Sequence, residues 1–71
     1  MRYWTIMYPG EVGQLIRETF SEEQIIQSYY PYWKEKMMSA NKGHLVSETN
    51  CLDDWKTIQW AYETDEYGEK L

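Results

Sequence analysis

One cysteine and one histidine are all that this sequence offers toward a Cys/His zinc site or a Cys–His nucleophile pair. A lone Cys51 cannot close an intramolecular disulfide, which fits a reducing compartment better than an oxidising one. A lone His44 has no paired ligand around it of the kind that zinc sites use, so it reads as an ordinary loop residue. Long apolar runs are also missing. No stretch approaches the ~20 consecutive apolar residues that cross a bilayer, and the opening Met1-Arg2-Tyr3-Trp4-Thr5 meets charge too early for a signal peptide. The expectation is a cytoplasmic protein without membrane contact. Basic residues are scarce as well, seven against twelve acids. The imbalance is local: residues 1–46 carry five of each sign, and residues 47–71 carry seven acids against two bases. Nucleic-acid binding rests on basic side chains that release counterions, so direct nucleic-acid binding is disfavoured and a basic partner fits the acidic end.

What the chain has in excess is aromatic rings: four Trp, seven Tyr and one Phe in 71 residues. A chain this short builds one small core, and each large ring removes roughly 150–250 Å² from water. The aromatics therefore stand in for a thin aliphatic complement. A single domain over residues 1–64 is expected, with an acidic tail over 65–71 that frays. A homodimer is compatible with so small a core.

Residues 2–8 are β-branched and aromatic and predict a strand, with Trp4, Ile6 and Tyr8 on one face and Tyr3, Thr5 and Met7 on the other. Neither face is polar, which places this strand centrally. Pro9-Gly10-Glu11-Val12-Gly13 supplies a turn, and residues 14–19 return as an edge strand that bears Arg17 and Glu18. Ser21-Glu22-Glu23-Gln24 is a capping box. Ile25, Ile26, Tyr29, Tyr30, Trp33 and Met37 then follow helical spacing, so a helix over about 22–39 is expected, kinked at Pro31. Asn41 or Gly43 ends it in a left-handed cap. Asn50, with Asp53 and Asp54 in the first turn, predicts a second, short helix. Ile58, Trp60 and Tyr62 alternate, which predicts a third strand over 57–64; its rival is one helix over 51–63. The expected fold is α+β, in the order β-β-α-α-β: a small three-stranded antiparallel sheet packed with one kinked and one short helix. Its last strand lies beside its first, burying Trp4, Ile6, Ile58 and Trp60 under the helices.

The residues that bear chemistry do not converge. Cys51, at the start of the second helix, gains from the helix dipole but faces Asp53 and Asp54, which raise a thiol pKa. Adjacent helical residues such as Asp53 and Asp54 point about 100° apart and do not grip one atom. No phosphate-cradling Gly-rich motif is present. The sequence thus predicts no catalytic residue, no metal site and no cofactor. The run Tyr29-Tyr30-Pro31-Tyr32-Trp33 spans more of a helix than one core-facing stripe can hide. Tyr29, Tyr30, Tyr32 and Trp33, with Asp53 and Asp54, are accordingly the candidate protein-binding residues.

The opening Arg-Tyr-Trp-Thr-Ile-Met-Tyr-Pro, the Ser-Glu-Glu-Gln-Ile-Ile run, Tyr-Tyr-Pro-Tyr-Trp-Lys-Glu-Lys-Met and the closing Cys-Leu-Asp-Asp-Trp with Gln-Trp-Ala-Tyr-Glu resemble small uncharacterised proteins encoded by tailed phages of marine cyanobacteria. That resemblance covers residues 2–63 and carries over no functional residue. It implies a phage accessory protein that modulates a host protein. Two other expectations stand beside that one: an acidic mimic of nucleic acid that occupies a DNA-binding enzyme, and a small redox or ligand-binding protein that uses Cys51.

Overall fold

The computed structural model describes all 71 residues. Tyr3–Pro9 forms strand β1 and Leu15–Ser21 forms β2. The turn between them is closed by Gly10 N–H donating to the Gln14 carbonyl at 2.7 Å, with Gly13 at φ +83. Helix α1 follows at once over Glu22–Ser39, then a 3-10 turn at Gly43–Leu45, helix α2 over Glu48–Gln59 and strand β3 over Tyr62–Thr64. The sheet order is β2-β1-β3 and both pairings are antiparallel. This is the α+β arrangement expected from the sequence, with β1 central.

The capping box sets the start of α1: Ser21 Oγ accepts from Gln24 N–H at 3.1 Å, and Gln24 Oε1 accepts from Ser21 N–H at 2.9 Å. Pro31 leaves the Gln27 carbonyl without its usual donor, yet the helix is continuous through it. Asn41, at φ +62, takes the left-handed position just beyond the helix end. Trp4, Ile25, Leu52 and Trp55 form the buried cluster, with Ile6, Phe20, Ile26 and Tyr29 packed against it. Phe20 meets Trp55 edge-on at 5.8 Å between ring centres, a favoured aromatic geometry. Trp4 also lies beneath two cations, Lys56 Nζ at 4.4 Å and Arg2 at 5.0 Å from its ring centre.

Three expectations fail, for one linked reason. Helix α2 starts earlier than Asn50, because Ser47 Oγ accepts from Asn50 N–H at 3.1 Å and takes the N-cap role. Asn50 instead donates from its side chain to the Leu45 carbonyl at 2.8 Å. The helix also continues past 57, since no Gly or Pro stops it before Gln59. It closes at Trp60, in the left-handed conformation at φ +55, where Ala61 N–H donates to the Lys56 carbonyl at 3.0 Å. Strand β3 therefore keeps only three residues. Ile58 and Trp60, expected under the helices, lie outside at 60% and 88% exposure.

The tail folds back on the sheet. Asp65 Oδ1 accepts from the Tyr67 and Glu69 amides at 2.8 and 3.0 Å, and Lys70 bridges back to Thr64. Gly68, at φ +83, packs onto the sheet face opposite the helices, against Thr19 and Thr5. Beneath it runs a chain of three hydroxyls. Thr64 Oγ1 donates to the Asp65 carbonyl at 2.9 Å, so it can only accept from Thr5, at 2.9 Å. Thr5 must then accept from Thr19, at 2.8 Å. Each hydroxyl has one proton to give, so the direction of the whole row follows from that one carbonyl.

Candidate functional site

The aromatic run of α1 divides by helical geometry. Trp33 is buried at 2% exposure and donates from Nε1 to Asp54 Oδ2 at 2.7 Å. Tyr29 and Tyr30 are half-buried, and Tyr30 packs on Trp33 with ring centres 6.0 Å apart. Burial, and after it the Asp54 charge, pushes the Tyr29 phenol above its usual pKa. Only Tyr32 is well exposed, at 61%, with Lys36 Nζ 6.0 Å from its ring centre. Trp33 is thus a core residue that joins α1 to α2.

Asp53 and Asp54 also separate. They stand in the second turn of α2, since Glu48 opens the helix, so they do not complement its N-terminal dipole as expected. Asp53 pairs with Lys56 at 3.2 Å, while Asp54 turns the other way to receive Trp33. The acidic end is therefore partly committed to internal contacts, which weakens it as a mimic of phosphate. No group of three His, Cys, Asp or Glu side chains lies close enough to hold a metal ion.

Cys51 is fully buried, one turn beyond the helix start where the sequence placed it. Burial, followed by the charges of Asp54 and Glu48, raises its thiol pKa. Both effects disfavour the thiolate, which is the reactive form. Native protein at pH 7.5 should react with a disulfide reagent at least ~100-fold more slowly than the same protein in denaturant. A thiol that reacts at a similar rate in both states would restore the redox reading.

A hollow of about 500 Å³ opens between the N-terminal turns of the two helices. Ile26 and Leu52 give it some apolar lining, with Glu22, Glu23, Glu48 and Asp53 around them. Its cations are already engaged: Arg2 with Glu63 at 3.1 Å and Lys56 with Asp53 at 3.2 Å. The Arg2 guanidinium holds the Glu63 carboxyl below its usual pKa. Glu22, Glu23 and Glu48 occupy helix starts, where carboxylates stabilise the dipole, so the lining has a sufficient structural cause.

The chain matches no family model, no curated protein and no solved structure. Nor is any helix long and apolar enough to cross a membrane. Function therefore has to be read from the surface, whose boldest feature lies outside the predicted set. Trp60 is the most exposed large apolar residue of the chain, at 88%, with Ile58 two positions earlier at 60%. The alternation of 58, 60 and 62 concealed it. Leu52, Trp55 and Gln59 at helical spacing, with no breaker among them, were the available signal.

Proposed function

We propose that this protein is a non-enzymatic protein-binding module, and that Trp60 is its anchor. The observation that supports this reading is the conjunction of exposure and backbone strain at one residue. A left-handed conformation costs a residue with a Cβ roughly 1–2 kcal/mol, and helices that end this way mostly place glycine there. Here a tryptophan occupies the position and buries almost nothing within its own chain. Tryptophan is among the residues most enriched at binding hot spots. Ile58, two positions earlier at the same helix end, is exposed as well. The resemblance noted from the sequence would make the partner a host protein, and the excess of acids in the last third favours a basic one.

Trp60→Gly separates the two roles that the residue can have. Relief of the strained cap should raise unfolding stability by about 0.5–1 kcal/mol in urea titrations. The same substitution should abolish specific capture of a partner from host lysate. A variant that loses stability and still captures the same protein would make Trp60 a structural residue and sink this reading.

A further inference from the structure

The outer edge of β2 carries a pattern that nothing inside the chain uses. Two hydrogen bonds fix which way its peptide groups point: Glu22 N–H donates to the Arg2 carbonyl at 3.0 Å, and Gly10 N–H donates to the Gln14 carbonyl at 2.7 Å. Antiparallel pairs alternate, so the even residues of β2 bond to β1 and the odd ones face outward. Ser21 confirms the phase, since its outward N–H goes to Gln24 Oε1. Leu15, Arg17 and Thr19 each present an N–H and a C=O beyond the last strand of the sheet.

The side chains on this edge are as incomplete as its backbone. Arg17 has no carboxylate at ion-pair distance. Its cross-strand neighbour is Met7, and that of Glu18 is Ile6, so β1 supplies neither with an opposite charge. Glu18 accepts only the hydroxyl of Tyr8. Neither residue has an opposite charge at ion-pair distance within the chain, and the outer side of the strand is open to one.

We propose that the β2 edge receives an extended segment of a partner protein, added antiparallel, with an acid opposite Arg17 and a base opposite Glu18. Apolar residues of that segment would lie opposite Leu15, Ile16 and Phe20. This deepens the protein-binding reading and rests on it. Main-chain hydrogen bonds supply the affinity in such strand addition and the side chains its selectivity. A second copy of the chain does not fit. The register that pairs the whole strand with itself sets Glu18 against Glu18, and the next one towards the turn sets Arg17 against Arg17. Like charges directly opposite destabilise a sheet. The next register the other way needs the Ser21 amide, which Gln24 already holds. The edge thus rejects its own kind and accepts a complement.

The test uses the whole protein and two synthetic peptides of one composition, Ile-Thr-Lys-Glu-Val-Val and Ile-Thr-Glu-Lys-Val-Val. The first sets Lys against Glu18 and Glu against Arg17; the second sets like charges there. We expect the first to bind about tenfold more tightly, to slow amide exchange at Leu15, Arg17 and Thr19, and to lose binding when N-methylated at its Thr and Glu. The exposed pair Arg17→Glu/Glu18→Lys should reverse the preference. Equal affinities, or binding that survives N-methylation, overturn the strand-addition proposal. Concentration-dependent self-association that protects the same amides overturns it in favour of a second copy. Trp60-dependent capture without peptide binding overturns the edge alone and leaves the protein-binding reading standing.

Discussion

Trp33→Ala should lower unfolding stability by about 3–5 kcal/mol, the usual cost of emptying a buried tryptophan site. Small domains carry roughly 0.05–0.15 kcal/mol per residue, so this one substitution would remove a large part of the fold's margin. The cost has two sources that a second variant separates. Trp33→Phe retains a buried ring beside Tyr30 but deletes the donor to Asp54. It should cost about 1–2 kcal/mol, below the full range for a charge-assisted bond because Asp54 is exposed and can turn back to water. Urea titrations of both variants, with Tyr32→Ala as the exposed control, give the comparison. A Trp33→Ala cost under about 1 kcal/mol would mean that the α1–α2 contact does not hold the fold. A loss of partner binding in Trp33→Ala alone would therefore report unfolding, whereas Tyr32 and Trp60 can be altered without that ambiguity.

Thr5→Val should cost about 1–3 kcal/mol although it leaves the volume nearly unchanged. Thr5 is fully buried on the sheet face that the tail covers, in the middle of the hydroxyl row. Valine keeps the methyl packing and the β-branched preference for strand, so the whole cost comes from the hydroxyl. Its removal strands the Thr19 donor on one side and the Thr64 acceptor on the other, beneath Gly68, where water has little room. Thr5→Ser should recover most of the loss, because the row is restored. If Thr5→Val and wild type share one denaturation midpoint, the row is decoration on a sheet held by its backbone.

Both residues show how far the sequence could be read. The capping box at Ser21–Gln24 and the turn at Pro9–Gly13 are local chemistry, and the elements they delimit stand where the sequence put them. Trp33 was legible as a residue of the apolar stripe, but its partner was not. The bond to Asp54 joins residues 21 positions apart, and no local pattern encodes it. The boundary at Trp60 was hidden for a different reason. Alternating large residues fit a strand, but a helix already started at Ser47 propagates more cheaply than a new element nucleates. The threonine row escaped notice because its members lie on three separate strands and only the register of the sheet aligns them. Candidate binding residues fared in the same way. Spacing could show that some aromatic had to be exposed, but only the packing showed that Tyr32 and Trp60 are exposed while Trp33 is not.

The shortness of β3 has a kinetic consequence. The β1–β2 hairpin and the two helices are made from neighbours in sequence, whereas Arg2 and Glu63 meet across 61 positions. Closing a distant contact costs more chain entropy than closing a local one, so the docking of three residues and a turn onto the hairpin is the expected last step of folding. Native-state opening runs the same path backwards. The segment from Tyr62 onward should then be the first unit to detach, exposing the amide edge of β1 while the hairpin and helices stay folded. The amides of β3 should therefore exchange at a lower free energy than those at the centre of α1, which makes the acidic end of the chain its most readily surrendered part.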